Sequence, residues 1–199
     1  MSATLIDLIR HGEPVGGRRY RGRGVDDPLS ETGWQQMRQA IGDAAPWTRI
    51  LSSPLQRCQA FARELAAHHQ LPLEIVPEFA EVGMGEWEGR AHTEIALSEP
   101  ERHRAYRRDP VGCRPAGAEP LEAFLDRVST AYRAQIERHA GEHLLIVCHS
   151  GTTRAILGEI LGLGPHHWYR TKTDYAGITR IRHGANGPVL ECMNRPTLP

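Results

Sequence analysis

Two histidines, distant in the chain, each follow an apolar segment. His11 lies in the run Leu-Ile-Arg-His-Gly-Glu (8–13), and His149 comes directly after the segment 144–148. A neutral imidazole can attack phosphorus, and the neighbouring guanidinium of Arg10 can hold the oxygens of the transferred group. A second histidine, in its protonated form, would neutralise charge on that group. These residue types point to chemistry on a phosphate, although His149 taken alone is equally explained as a hydrogen-bonded histidine of the core.

Two further charged side chains lie where they could complete such a site. Arg57 comes one turn into a predicted helix that follows a strand end, so its guanidinium could share a phosphate with Arg10. The alternative is an ordinary surface arginine. Glu81 lies among glycines, and a carboxyl group beside a phosphate is favoured in its protonated form, as the acid that protonates a leaving oxygen must be. From the residues alone, three other glutamates compete for this role: Glu78, Glu86 and Glu88.

Alternating strands and helices are needed to position these residues. Strands are predicted at 5–9, 50–51, 73–76 and 144–148, with a closing hairpin formed by 178–182 and 189–192. Helices are predicted over 30–44 with Ser30 as N-cap, from Pro54 to His68, over 92–108, over 120–139 and over 151–161. This alternation predicts an α/β fold, a three-layer α/β/α sandwich with a mostly parallel central sheet. Because parallel strands end at one edge of the sheet, His11 and His149 can be neighbours there.

Length and composition set the class of protein. With 199 residues, of which 40% are hydrophobic, the chain fits a single domain spanning 1–199, and we expect residues 90–118 to be an insertion that caps the substrate together with the loop 14–23. The net charge is zero, which attracts neither nucleic acid nor a membrane. The four cysteines are scattered, and the sequence has neither a signal-peptide pattern nor an apolar run near 18 residues, so we expect a soluble cytoplasmic protein. We expect the assembly to be a monomer or a homodimer.

Several patterns suggest other functions and need to be weighed. Cys148 and Arg154 fit Cys-x5-Arg, the phosphate loop of cysteine-dependent phosphatases, but the end of an apolar strand favours a small buried cysteine over an exposed reactive one. The basic run 18–23 suggests nucleic-acid binding, but it is short and close to His11, so we favour steering of a phosphorylated metabolite. The adjacent pairs at 68–69 and 166–167 diverge and lack a third ligand, so no metal is expected.

Four segments, in this order, resemble the signature blocks of the histidine phosphatase superfamily, which includes the cofactor-dependent phosphoglycerate mutases and the fructose-2,6-bisphosphatases. They are Leu-Ile-Arg-His-Gly-Glu (8–13), Ser-Ser-Pro-Leu-Gln-Arg (52–57), the stretch 81–89 and Val-Cys-His-Ser-Gly (147–151). The resemblance implies that His11 is the phosphorylated nucleophile and Glu81 the proton donor. It also implies that Arg10, Arg57 and His149 form the phosphate pocket. We therefore expect a small phosphorylated metabolite as partner and no metal or organic cofactor.

Within the superfamily, segments 12–22 and 34–37 look most similar to the bacterial α-ribazole phosphatases, which act late in cobalamin assembly. The substrate-binding residues expected on this basis are Arg10, Arg57, Arg21, Gly22 and Ser150. The chain departs from the common pattern at 14–17, where many members carry an asparagine, and at Ser150, where many carry a glycine. The first departure puts substrate contacts in question.

Three alternatives to an α-ribazole phosphatase stay open at this point. One is a broad-specificity phosphatase acting on sugar phosphates or nucleotides. Another is a transferase similar to the phosphoglycerate mutases, but their long basic insertion and Asn-Glu-Arg signature have no match here, which favours hydrolysis. The third is a non-catalytic module that binds a phosphorylated ligand, and the presence of Glu81 argues against it because binding alone needs no acid.

Overall fold

The computed structural model describes residues 2–199, and a six-stranded sheet forms its centre. The strands, in chain order, are β1 (Thr4–Arg10), β2 (Arg49–Ser52), β3 (Leu73–Ile75), β4 (His143–Cys148), β5 (Ile178–Gly184) and β6 (Gly187–Arg195). Their order across the sheet is β3-β2-β4-β1-β5-β6. Strands β1 to β4 run parallel to one another, whereas β5 pairs antiparallel with β1, and β6 pairs antiparallel with β5. The predicted α/β fold with a mostly parallel sheet is confirmed.

Strand β4 lies between β1 and β2, and its apolar sequence reflects burial on both faces. Residues 144–148 are all fully buried. Because successive side chains of a strand point to opposite faces, Leu144, Ile146 and Cys148 join one hydrophobic cluster, whereas Leu145 and Val147 join the other. The central strand therefore connects two cores, and this explains why its sequence is continuously apolar.

Helices cover both faces of the sheet. They are α1 (Glu31–Ile41), α2 (Gln56–His69), α3 (His92–Ser98), α4 (Pro100–Arg108), α5 (Leu121–Arg138), α6 (Ser150–Leu161) and α7 (Pro165–Trp168). Helices α1 and α2 pack against one face, and α5 and α6 against the other. No helix within residues 2–199 has the length and apolar character needed to span a membrane.

Local chemistry explains where helix bounds differ from the sequence-based expectations. Ser30 caps α1 as predicted, its Oγ accepting from the backbone N–H of Gly33 at 3.0 Å. The helix ends at Ile41 and not at residue 44, because Gly42 takes a positive φ of 61°. The single helix expected over 92–108 is two helices, since Pro100 lacks the N–H needed to continue α3 and instead begins α4.

Two further differences concern the second helix and the hairpin. Helix α2 begins at Gln56, after an N-cap at Leu55, so Pro54 lies before the helix and not in its first turn. The antiparallel hairpin is confirmed, and its strands are longer than predicted because pairing continues to Gly184 and Gly187 at the turn.

Candidate active site

The two sequence-predicted histidines lie side by side at the carboxyl ends of β1 and β4. The parallel register pairs Arg10 with Cys148, so His11 and His149 each come one residue past the last pair. The backbone N–H of His11 donates to the carbonyl oxygen of Cys148 at 2.9 Å, and the ring centres of the histidines are 5.2 Å apart. A cavity of about 190 Å³ opens at this edge of the sheet, and His11, Arg10, Arg57 and Glu81 line it.

The imidazole of His11 is held in one tautomer. Its Nδ1 lies 2.7 Å from the carbonyl oxygen of Gly12, and because a carbonyl only accepts, Nδ1 carries the proton and Nε2 keeps its lone pair. Burial, followed by the charges of Arg10 and Arg57, lowers the pKa of His11 well below its usual 6.5. The side chain is therefore a neutral imidazole with a free nitrogen, the form required for nucleophilic attack.

Close packing fixes the backbone beside His11. A Cβ on Gly12 would lie 2.2 Å from the carbonyl oxygen of Gly33 in the first turn of α1. Only glycine permits this approach, and the contact locks the position of the carbonyl that orients His11. The Arg-His-Gly run is thereby tied to the start of α1.

His149 is fully buried and lies against α2 and the loop that precedes it. Its Nε2 is 2.7 Å from Ser53 Oγ, which also accepts from the backbone N–H of Leu55 at 3.2 Å. Burial, and then the charges of Arg57, His11 and Arg10, lowers the pKa of His149 well below 6.5. The lowered pKa contradicts the expectation of a protonated second histidine in the protein without substrate. A phosphate dianion beside the ring would raise this pKa again.

Two guanidinium groups face the cavity with their charge largely unneutralised. Arg57 is only 1% exposed and donates to the carbonyl oxygens of Val25 at 3.0 Å and Gly22 at 2.8 Å. Its single ion pair within residues 2–199 is long, at 3.9 Å from Asp26. Arg10 donates to the carbonyl oxygen of Thr173 at 2.6 Å. The Nε atoms of both arginines are buried without a hydrogen-bond partner in this part of the chain. Both groups are held by backbone carbonyls and keep donors for an anion.

The carboxylate of Glu81 occupies the N-terminus of α6. The backbone N–H of Gly151 is 3.1 Å and 3.2 Å from the two carboxylate oxygens, and the N–H of Val82 donates at 2.9 Å. A Cβ on Gly151 would lie 2.1 Å from Oε1, so this approach requires glycine. The helix N-terminus thus orients the protein's own carboxyl group towards the cavity.

The three competing glutamates lie outside the cavity. Glu78 and Glu86 are exposed, and Glu86 pairs with Arg102. Glu88 accepts from the backbone N–H groups of Gly24 and Met84, both at 2.8 Å. Among the four candidates, Glu81 is the one that lines the cavity.

The remaining substrate-binding candidates also line the cavity, but their polar groups are already engaged. Arg21 donates to Asp27 at 2.9 Å and to the carbonyl oxygen of Val15 at 2.6 Å. Gly22, with a φ of +57°, presents its carbonyl oxygen to Arg57. Ser150 Oγ lies 3.0 Å from Thr173 Oγ1 and accepts from Arg154. Gly22 therefore acts on the site through the position of Arg57.

Several cavity residues were not identified from the sequence. Arg154 lies one helical turn after Ser150 and donates to it, so the i, i+4 spacing could have placed it in the site. Tyr175 packs its ring under Arg10, 4.2 Å from the guanidinium carbon to the ring centre, and no local pattern indicates this. Five more aromatic residues line the cavity: Tyr20, Tyr106, Phe124, Trp168 and Tyr169.

The cysteine alternative does not fit the geometry. Cys148 is fully buried, and its Sγ lies 3.5 Å from Thr153 Oγ1. Burial raises the pKa of its thiol to about 12, which is the opposite of the lowered pKa that a nucleophilic cysteine needs. Across residues 2–199, no three histidine, cysteine, aspartate or glutamate side chains converge in an arrangement that could hold a metal ion.

Two buried histidines lie side by side at the strand ends of a mostly parallel sheet. The cavity beside them is lined by His11 and by two arginines whose charge is largely unneutralised, whereas His149 is not among its lining residues. This arrangement defines a phosphate-handling α/β protein. The chain belongs to the histidine phosphatase superfamily (branch 1), whose sequence profile matches residues 6–196.

Relatives of known name cover most of the chain. A "bifunctional protein Rv2228c" of Mycobacterium tuberculosis is 33% identical over 191 residues, which is 92% of this chain; the chain spans about half the length of that relative, 51%. The adenosylcobalamin/α-ribazole phosphatase of Escherichia coli is 28% identical over 191 residues, 94% of each chain. The crystal structure of the α-ribazole phosphatase from Shigella flexneri superposes with a TM-score of 0.83 at 26% identity, covering 98% of both chains.

Proposed function

We propose that this chain hydrolyses phosphate monoesters through a phosphohistidine formed on His11. The observation that carries the proposal is the hydrogen bond from His11 Nδ1 to Gly12, which leaves Nε2 unprotonated in a cavity that Arg10 and Arg57 also line. Nε2 attacks phosphorus, a P–N bond forms, and the ester P–O bond breaks. Water then attacks the phosphohistidine, the P–N bond breaks, and inorganic phosphate leaves.

Arg10, Arg57 and His149 supply the electrostatic stabilisation in this scheme. Fixed guanidinium groups lower the energy of negative charge on the equatorial oxygens of the transferring group, and burial strengthens that effect. Backbone carbonyls hold both arginines before substrate arrives, so little reorganisation is needed. His149 is the third proposed contact to the phosphoryl group: its ring centre lies 5.2 Å from that of His11, and its buried ring does not itself line the cavity.

Glu81 is the proposed acid and base. The leaving oxygen needs a proton as the ester bond breaks, and the carboxyl group supplies it; the resulting carboxylate then takes a proton from the attacking water. The N–H groups of Val82 and Gly151 hold the carboxylate form between the two steps.

The substrate that we propose first is α-ribazole 5′-phosphate, with the late steps of cobalamin assembly as its pathway. The likeness to the E. coli adenosylcobalamin/α-ribazole phosphatase over 94% of both chains supports it. The aromatic side chains of Tyr106, Trp168 and Tyr169 that line the cavity also suit a leaving group with an aromatic base. Tyr106 belongs to α4, which supports a capping role for residues 90–118.

A panel of phosphate esters compared by kcat/KM tests the proposal. It contains α-ribazole 5′-phosphate, sugar phosphates, nucleotides, phosphoserine and 3-phosphoglycerate, with the His11→Ala variant as control for contaminating phosphatase. The highest kcat/KM is expected for α-ribazole 5′-phosphate. Equal kcat/KM values across the panel would favour the broad-specificity alternative. Phosphoryl transfer to an added acceptor would favour the transferase, and binding without turnover would favour the non-catalytic module.

We also propose a cytoplasmic location, and a monomer or homodimer as the assembly. The four cysteines form no disulfide, which suits a reducing compartment. Light scattering coupled to size-exclusion chromatography measures the assembly directly.

A further inference from the structure

A second basic groove lies outside the catalytic cavity. It has a volume of about 570 Å³, and its polar lining comes from Arg18, His92, Thr93, His103 and Arg107. We call it the outer groove. The basic run 18–23 therefore contributes to both sites: Arg21 lines the catalytic cavity, and Arg18 lines the outer groove.

Tyr20 lies between the two sites. Its side chain lines the catalytic cavity, and its ring stacks on that of His92 with ring centres 3.9 Å apart and planes inclined by 8°. Tyr20 is only 7% exposed, and its stacked pair with His92 lies between the lining of the catalytic cavity and that of the outer groove. A ligand in the outer groove would therefore be separate from the substrate.

The arginines of the outer groove have no carboxylate partner among the residues described. The acidic residues of α3, of α4 and of the turns beside them are paired elsewhere: Glu94 and Glu99 with Arg90, at 2.7 Å and 2.5 Å, Glu101 with Arg104, and Glu86 with Arg102. Neither Arg18 nor Arg107 makes an ion pair within residues 2–199, and the groove lining contains no aspartate or glutamate. The groove keeps an uncompensated positive charge in a chain whose net charge is zero.

Each of the two histidines that line the groove has one feature that points to an anion. Burial, and then the charges of Arg18, His103 and Arg107, lowers the pKa of His92 from 6.5 to about 4. The Nε2 atom of His103 is buried and has no hydrogen-bond partner in the described chain. Buried polar nitrogens are normally hydrogen-bonded, so a ligand supplying acceptor oxygens and negative charge would satisfy both features.

We propose that the outer groove binds a small phosphate anion, either inorganic phosphate or the terminal phosphate of a nucleotide. Two guanidinium groups can each donate two parallel hydrogen bonds to phosphate oxygens, and the unpartnered Nε2 of His103 offers a further contact. The site is too small for the extended contacts on which nucleic-acid affinity depends, since it offers two arginines and the whole chain carries no excess of positive charge. This inference stands independently of the proposed activity.

Histidine ring signals in the NMR spectrum of ¹³C-labelled protein test the proposal. Inorganic phosphate and ADP are titrated separately, and each is expected to shift the His92 and His103 signals saturably; the tighter of the two identifies the source of the phosphate. The Arg18→Ser/Arg107→Ser variant should weaken this binding by about tenfold or more, as expected for the loss of two charge-assisted contacts.

The matched control is Arg63→Ser/Arg108→Ser, which removes the same charge from two exposed arginines, one of them next to Arg107 on α4. It should bind phosphate in the groove as tightly as the wild type. Equal weakening in both variants, shifts confined to His11 and His149, or shifts that never saturate would each overturn the proposal. Tighter binding of a single-stranded RNA oligomer at His92 would overturn it in favour of a nucleic-acid surface.

Discussion

The imidazole rings of His11 and His149 lie with centres 5.2 Å apart and planes inclined by 63°. Their backbones are joined through the parallel ladder of β1 and β4, which ends at the pair Arg10 and Cys148. Both rings are buried and both have pKa values well below 6.5, because the loss of solvent, and then the charges of two neighbouring guanidinium groups, disfavour a further positive charge. The site is thus built to receive negative charge.

Removal of the nucleophile should abolish turnover. His11→Ala leaves no imidazole nitrogen to attack phosphorus, so kcat should fall to background and no phosphoenzyme should form. Wild-type protein mixed with ³²P-labelled ester and quenched should carry acid-labile, base-stable phosphate on His11. The control is Cys148→Ser, which should keep the label; phosphate trapped on Cys148 would contradict the assignment.

Loss of the acid should depend on the leaving group. Glu81→Gln keeps the shape of the side chain but cannot donate a proton as a carboxyl group does, so hydrolysis of an alkyl phosphate should slow by roughly 10²–10⁴-fold. p-Nitrophenyl phosphate should lose much less in the phosphorylation step, because its leaving group needs little protonation. Equal losses with the two esters, measured by pre-steady-state burst kinetics, would show that Glu81 has a structural role only.

Arg57 and Arg63 form a matched pair on α2. Arg57 is buried and faces the cavity, whereas Arg63 is exposed. Arg57→Ala should lower kcat/KM by about 10²–10³-fold, raising KM and lowering kcat together, because its contact to phosphate oxygens strengthens in the transition state. Arg63→Ala should have wild-type kinetics. Thermal unfolding of both variants is the control for fold, and unchanged kinetics in a folded Arg57→Ala protein would rule out the contact.

The loss of kcat/KM on the acidic side of the pH profile should occur at a lower pH than the usual histidine pKa of 6.5. Attack needs neutral His11, and since its pKa lies well below 6.5, the neutral fraction stays high as the pH falls through 6.5 and drops only below that value. Rates measured from about pH 8 to about pH 4 are divided by the fraction of substrate dianion, because a phosphomonoester itself titrates near pH 6. A corrected midpoint at or above 6.5 would contradict the lowered pKa.

Chelation should leave the rate unchanged. In the proposed scheme the guanidinium charges of Arg10 and Arg57 stabilise the phosphoryl oxygens, together with His149 once the charge of the substrate has raised its pKa. Metal ions have this role in two-metal phosphatases. Protein dialysed against EDTA should keep its kcat, and vanadate should inhibit it in the presence of the chelator. Strict dependence on added Mg²⁺ or Zn²⁺, restored by back-titration, would show that the assignment of these side chains is incomplete.

Much of the fold follows from local sequence patterns. The apolar run 144–148 is continuous because β4 is buried on both faces, and Ser30 marks the start of α1 because its hydroxyl caps the helix. Bounds that depend on single backbone conformations were less predictable: Pro100 divides the expected helix over 92–108 into two, and the positive φ of Gly42 ends α1 early.

The sequence by itself determined which residue types come after which strands, and hence that His11, His149, Arg10, Arg57 and Glu81 could form one site. Only the tertiary structure decided the chemical state of these groups. The tautomer of His11 depends on one carbonyl oxygen, and both histidines are neutral because burial and arginines from separate elements act on them together. Tyr175 beneath Arg10 has no signal in the sequence at all. Such long-range contacts set electrostatics and hydrogen bonding through distances that no local pattern of residues encodes.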